Sequence, residues 1–241
     1  MEWHIVTAFP KFYSSPLDQS ILRRALEREL ITVSLYDIRD FTTDKHKQID
    51  DYPYGGGPGM VMKPEPLHRC LEQLYEQNEL DGVPVTYLTP DGDPYDQKKA
   101  IELSLREKVV LLCGHYKGID ERVRRSWVGE EISVGDYVLT GGEAASLVLI
   151  DSAVRLLPGA ISDIDSAETD SFHSGLLDHP HYTRPERFRG MAVPKILLSG
   201  NHAEIAKWRK TCALERTRER RKDLYEKYIE SENDILGEQE V

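Results

Sequence analysis

The sequence predicts an α/β domain built on a parallel sheet, followed by a second, mostly helical unit. Three observations carry this reading. Between residues 64 and 156 short apolar runs alternate with helix-periodic stretches, the β-α-β-α-β order of a parallel sheet covered on both faces. Three of the runs end at Pro90, Gly114 and Gly135, and ligands in open parallel sheets sit beyond the carboxyl ends of the strands. Residues 184–228 hold thirteen basic side chains against six acidic ones, although the 241-residue chain carries a net charge of −11.

Residues 3–9, Trp-His-Ile-Val-Thr-Ala-Phe, read as a first buried strand ending at Pro10. Ile21, Leu22, Leu26 and Leu30 stand at helical spacing over 20–30, and 31–36 is a second strand. Residues 37–62 show little periodicity, and long irregular loops in compact domains are usually functional. They include Tyr54-Gly55-Gly56-Gly57-Pro58-Gly59-Met60. This run fits neither the dinucleotide-binding fingerprint nor a P-loop, because Met60 breaks the glycine spacing and no Lys-Ser/Thr pair follows. It still lets backbone approach a flat or anionic ligand. A helix over 64–80 places Leu67, Leu71, Leu74 and Tyr75 on one face. Strand 83–88, helix 97–105, strand 109–113 and a short helix over 120–127 follow.

The stretch 132–143, Ile-Ser-Val-Gly-Asp-Tyr-Val-Leu-Thr-Gly-Gly-Glu, mixes strand formers with glycines and opens an apolar helix over 143–156. Glycine suits backbone that bends around something and approaches it closely. A tight strand-to-helix turn with no ligand is the plainer reading of these glycines alone. The helix is apolar nearly all round, which predicts burial on several sides, in the core or in a subunit interface. Pro158-Gly159 ends it, and 162–174 is acidic and aperiodic, like a flexible linker. Helices are expected over 201–214 and 216–229. The domain division is 1–161, a linker over 162–177, and a helical unit over 178–241.

Composition excludes several classes. No apolar run approaches the roughly 18 residues needed to span a membrane, and the N-terminus lacks the pattern of a signal peptide. Cys70, Cys113 and Cys212 are widely spaced and read as reduced thiols of a cytoplasmic protein; without a CxxC pair there is no zinc module. The basic segment on an acidic body fits a polyanion-binding module, with a solvated basic helix face as the ordinary alternative.

Several stretches together resemble one family. They are Tyr54-Gly55-Gly56-Gly57-Pro58-Gly59-Met60, Cys113-Gly114-His115-Tyr116, Ile119-Asp120-Glu121-Arg122, Ser133-Val134-Gly135-Asp136-Tyr137-Val138-Leu139, Asp170-Ser171-Phe172, Gly175-Leu176-Leu177-Asp178, Pro180-His181-Tyr182-Thr183-Arg184-Pro185 and Leu198-Ser199-Gly200-Asn201-His202. Their order is similar to that of the bacterial TrmD family, the tRNA (guanine-N1-)-methyltransferases of the SPOUT superfamily. The resemblance implies a deep trefoil knot in the C-terminal part of the α/β domain, a homodimer with composite active sites, and a small helical domain that helps hold tRNA. The implied reaction moves a methyl group from S-adenosylmethionine to N1 of the guanine at tRNA position 37.

By the same resemblance, Tyr87, Leu88, Pro90, Gly114, Val134, Gly135, Asp136, Tyr137, Val138, Leu139 and Gly141 hold the cofactor. Gly55, Gly56, Gly57, Gly59, Ser171, His181, Tyr182, Arg184, Asn201, His202, Arg220 and Arg221 face the RNA. Asp170 corresponds to the base that removes the N1 proton, and Arg155 to the positive group near O6. On the residues alone, Arg155 is an i,i+4 partner of Asp151 and Asp170 a solvated linker acid. The family is described as Mg2+-dependent, but Lys117 stands where many relatives carry an acid, so the metal ligands stay open. His173, His179 and His181 are metal-capable, yet no second ligand cluster supports a metal and the motif places His181 near RNA. Two rivals remain: a related knotted methyltransferase acting on a ribose hydroxyl or another RNA, and an RNA-binding module without turnover.

Overall fold

The computed structural model describes residues 1–161 and 170–238. The chain forms two units, Met1–Ser162 and Asp163–Val241. Half of the expected linker, 162–169, lies outside the described residues. The first unit runs β1 (Glu2–Thr7), α1 (Ser14–Leu17), α2 (Ser20–Glu27), β2 (Thr32–Asp37), β3 (Asp50–Asp51), β4 (Val61–Met62), α3 (Pro64–Asn78), β5 (Val85–Pro94), α4 (Gln97–Ser104), β6 (Lys108–Cys113), α5 (Glu121–Trp127), β7 (Val128–Ser133) and α6 (Gly142–Val154).

Five strands form one sheet in the order β2-β1-β6-β5-β7, and every neighbouring pair is parallel. Because strand side chains alternate, each strand feeds two cores. Trp3, Ile5, Val109, Leu111, Cys113 and Ile132 face Leu22 and Ala25 of α2, Leu103 of α4, and Leu149, Ile150 and Ala153 of α6. Val6, Val110, Leu112, Val85 and Tyr87 face Leu67, Cys70, Leu71 and Leu74 of α3 and Val123 of α5. Burial of each such aliphatic side chain contributes about 1.5–3 kcal/mol, so the central strands β1 and β6 need near-continuous apolar sequence.

Local signals explain the ends of the elements. Pro64 opens α3, where its missing N–H has no partner to lose. Asp120 caps α5 by accepting from the Arg122 N–H, so it precedes the helix that the sequence reading began with it. Gly142 starts α6 where a Cβ would lie 2.7 Å from the Cys113 Cα, so only glycine lets the helix begin against β6.

The structure corrects several expectations. Residues 37–62 are not wholly irregular: β3 and β4 pair as an antiparallel hairpin that carries the glycine run in its loop. β5 continues past Leu88 to Pro94, with a register shift against β7 after Leu88. Within a single chain α6 buries one side and leaves Ala144, Val148 and Asp151 exposed, so the core accounts for only part of the burial expected of it.

Among its described residues the second unit holds a short hairpin, Arg187–Phe188 with Met191–Ala192, and the helices His202–Arg220 and Lys222–Glu238. The first runs six residues beyond the expected end at 214, because nothing between Leu214 and Arg220 breaks it. The break falls at Arg221, which leaves helical geometry and pairs its guanidinium with Asp223 at 2.6 and 2.9 Å. Thr217, fully buried, accepts from the Leu177 N–H at 2.9 Å and so ties the incoming chain to the helix.

β7 is an edge strand, and Glu130 guards it with charge. Glu130 accepts from Thr86 Oγ1 at 2.8 Å, Arg106 at 2.9 Å and Lys99 at 2.6 Å. Burial disfavours its charge, but these three donors prevail and hold the carboxyl at about 2. A depressed carboxyl stabilises the fold fully above its ordinary 4.5 and loses that effect as the pH falls towards 2. Glu130→Gln should therefore lower the urea midpoint at neutral pH, with the deficit shrinking below pH 4.5. A deficit independent of pH would contradict this account.

Candidate active site

The carboxyl ends of β5, β6 and β7 open onto one cavity of about 540 Å³. Its wall includes Tyr87, Leu88 and Pro90 from β5, Gly114 after β6, and Val134, Gly135, Tyr137, Val138, Leu139 and Gly141 from the connection between β7 and α6. Of the residues expected to hold a cofactor, only Asp136 is not part of this lining. The three strand ends converge because parallel strands in register all finish on the same edge.

Two glycines give the cavity its shape. A Cβ on Gly114 would meet the Tyr87 ring at 2.8 Å, so glycine here lets the tyrosine lie flat against the turn. Gly135 has φ +145° and the Tyr137 ring against its Cα, where a Cβ would be 2.6 Å away. Tyr137 folds back on its own loop, donating from its hydroxyl to the Val134 carbonyl at 3.0 Å. Burial pushes the Tyr87 hydroxyl up, so it stays a neutral donor.

One side of the cavity is braced by Arg124, which the sequence reading passed over. Its guanidinium reaches Glu131 at 2.5 Å and Asp91 at 2.6 Å and lies 5.7 Å from the Tyr87 ring centroid. Thr89 Oγ1 donates to the same Asp91 carboxylate. The Thr89 hydroxyl, then Arg124, hold the Asp91 carboxyl below the usual carboxylate range. Asp91 and Arg124 are 33 residues apart, so no local pattern announces the pair.

The opposite side rests on Glu143, in the first turn of α6 and 3% exposed. It accepts from Thr7 Oγ1 at 2.6 Å and pairs with His115 Nε2 at 2.8 Å. Phe9 packs against the His115 ring in a tilted arrangement, with centroids 4.6 Å apart. Two residues on, Lys117 lies along Gly59 and donates its backbone N–H to the Met60 carbonyl at 3.0 Å. The glycine run is thereby linked to the cavity wall through Gly59, while Gly55, Gly56 and Gly57 are exposed.

Arg155 is the C-cap of α6, its N–H bonded to the Asp151 carbonyl at 3.2 Å. In the second unit, Asp170 opens a turn in which its carbonyl accepts from the His173 N–H at 3.4 Å. Ser171 Oγ accepts from the Asp178 N–H at 3.0 Å. His181 pairs with Asp178 at 2.6 Å, Tyr182 is half exposed, and Arg184 is exposed. Asn201 caps the His202–Arg220 helix by accepting from the Glu204 N–H, which places His202 at its first position. Arg220 is exposed, whereas Arg221 is engaged by Asp223.

A family model described as tRNA (Guanine-1)-methyltransferase TrmD matches residues 1–227. The chain is 50% identical over 227 residues to a tRNA (guanine-N(1)-)-methyltransferase of Clostridioides difficile (strain 630), covering 94% of this chain and 98% of that protein. It is 51% identical over 234 residues to the protein of that name in Geobacter metallireducens, covering 97% and 95% of the two chains. A protein of the same name in Cytophaga hutchinsonii is 51% identical over 231 residues, covering 96% and 97%.

The brace at Arg124 can be tested without any ligand. Arg124→Ala leaves Asp91 and Glu131 facing one another without their shared cation. Amide hydrogen exchange over residues 89–93 should then rise by at least tenfold, while exchange in β1 and β6 stays near the parent value. Equal protection of 89–93 in both proteins would show that backbone pairing alone holds the segment.

Proposed function

The chain belongs to the tRNA (guanine-1)-methyltransferase family, and on that premise we propose that it methylates N1 of the guanine at position 37 of tRNA, beside the anticodon, giving 1-methylguanosine. The observation that carries the reading is the match of whole-chain family membership with a cavity at the ends of β5, β6 and β7. The methyl donor is S-adenosylmethionine, and the lining suits it. Leu88, Ile132, Val134 and Leu139 offer apolar surface for an adenine ring, while Gly114 and Gly135 allow close backbone approach. When bound, this cofactor supplies a methyl group activated by a sulfonium.

The guanine side is the harder half of the chemistry, because N1 carries a proton and is a poor nucleophile until the proton leaves. Asp170 takes that proton. Arg155 stabilises the negative charge that spreads towards O6 and so lowers the cost of deprotonation. The Asp170-Ser171-Phe172 motif and the position of Arg155 at the end of α6 support these roles. Lys117 is no magnesium ligand, since a protonated ammonium has no lone pair.

The remaining parts of the reading follow the family. The knotted path of the chain is supported by close backbone passage at the cavity. Gly142 donates to the Gly114 carbonyl at 2.9 Å, and Gly141 bridges to His115, so the start of α6 is packed into the β6 turn. A homodimer is supported by the exposed Ala144 and Val148 on α6 and by Phe9 and Phe12, 41% and 47% exposed beside them. Phe9, Phe12 and Ala144 border a second hollow of about 550 Å³. The exposed Arg184, Arg218 and Arg220 of the second unit supply charge for tRNA phosphates. No helix among the described residues is long and apolar enough to cross a membrane, and a tRNA substrate supports a cytoplasmic location.

Two experiments test the reading. Gly114→Val should crowd Tyr87 and weaken S-adenosylmethionine binding at least tenfold by calorimetry, with the melting temperature showing that the variant folds. Undiminished binding would move the cofactor elsewhere. Asp170→Asn should leave cofactor affinity near the parent value and slow single-turnover methylation by about 10² to 10⁴, the usual range for a general base. Methylation at the parent rate, with chemistry limiting, would remove Asp170 from that role. Nucleoside mass spectrometry of the product, with mapping along the tRNA, distinguishes 1-methylguanosine at position 37 from a ribose-methylated or displaced product.

A further inference from the structure

The histidines set aside in the sequence reading acquire a further ligand in the folded chain. Asp178, His179 and His181 each offer a ligand atom, and the three atoms lie within 4.8 Å of one another. We propose that these side chains form a site for a borderline divalent cation of the zinc type, a site separate from the methyl-transfer chemistry.

The tautomer of His179 is the decisive detail. Its Nδ1 lies 3.2 Å from the Pro180 carbonyl oxygen. A carbonyl only accepts, so Nδ1 carries a proton, and the tautomer that binds a cation is the one with its lone pair at Nε2. That nitrogen faces Asp178 Oδ1 at 3.7 Å. Two lone-pair-bearing atoms at this distance leave room for a cation between them. A backbone carbonyl that fixes the tautomer of a ligating histidine is the usual outer support of such sites.

The surroundings hold the site in place. Arg216 donates to the Asp178 carbonyl at 2.8 Å, Ser171 Oγ accepts from the Asp178 N–H at 3.0 Å, and the His179 and His181 rings lie 4.4 Å apart. His179 and Asp178 are mostly buried at their side chains, 15% and 19% exposed, while His181 is 69% exposed. His181 is therefore the member free to turn. It now donates to Asp178 Oδ2 at 2.6 Å, closer than the roughly 3.3 Å between co-ligands in a tetrahedral site with bonds of about 2.0–2.1 Å. Ligation requires that the Nε2 proton move through water to Nδ1 of the same ring; with that exchange of tautomer a small rotation of the exposed ring covers the difference in distance, and water completes the coordination. Two imidazoles and one carboxylate favour zinc, cobalt or nickel over magnesium or calcium. The same loop carries Tyr182 and Arg184, so a bound cation fixes how these residues are presented.

The test uses the full chain freed of metal with a chelator. Calorimetric titration with zinc chloride should show one equivalent bound per chain. Cobalt chloride should give visible absorption of the strength expected for four- or five-coordination. Millimolar magnesium should not displace either ion. His179→Gln, which keeps a polar side chain but alters the donor, should weaken zinc binding at least tenfold, and His173→Gln should not. Circular dichroism establishes that the variants fold; should His179→Gln fail to fold, His181→Gln makes the same comparison. No zinc binding by the folded parent protein, or equal affinity in the variant, would overturn the proposal.

Discussion

The first unit is organised around a buried carboxylate. Glu143 sits in the first turn of α6, almost wholly out of water, and accepts from Thr7 at the end of β1 while pairing with His115 after β6. A buried charge is tolerated only when its partners are in place, and removing one partner commonly costs about 3–5 kcal/mol. The requirement joins three elements distant in sequence. Ser146, one turn on, donates to the Glu143 carbonyl and meets the buried Tyr13 hydroxyl at 2.6 Å. The start of α6 is thus set by polar contacts, whereas its body is held by Leu149, Ile150 and Ala153 in the core.

That placement determines the cavity. With α6 beginning against Cys113 and Gly114, the connection from β7 has only residues 134–141 in which to leave the sheet and return. It does so as a loop folded around Tyr137, and this loop is one wall. Arg124 holds the facing wall by bridging β7 to the outgoing part of β5. His115 belongs to both systems, lining the cavity while pairing with Glu143. In the proposed reading, a cofactor would feel any disturbance of the Glu143 network through that ring.

Charge is concentrated locally: the chain is acidic overall, yet residues 184–228 of the second unit hold thirteen basic side chains against six acidic ones. Charge so placed serves long-range attraction of a polyanion without burdening the packed sheet. Some of it is used internally: Arg221 is held by Asp223 and Arg216 by the Asp178 carbonyl. Basic residues counted from sequence therefore overstate those available to a nucleic acid.

By itself the sequence determined what depends on local pattern. The apolar runs of β1, β5 and β6 and the leucine face of α3 were legible because burial imposes a period on the chain. The convergence of Pro90, Gly114 and Gly135 on one cavity was legible because parallel strands finish together. Only the tertiary structure decided the rest. Arg124 with Asp91, and Glu143 with Thr7 and His115, are partners chosen by folding. Their members carry no periodic signal, since a single hydrogen bond or ion pair places no constraint on neighbouring residues. The end of the His202–Arg220 helix was misjudged for a related reason: charged residues extend a helix as readily as they leave it, and the break at Arg221 is set by its own pairing with Asp223. Hydrophobic burial writes itself along many residues, whereas polar specificity is settled by the few that meet in space.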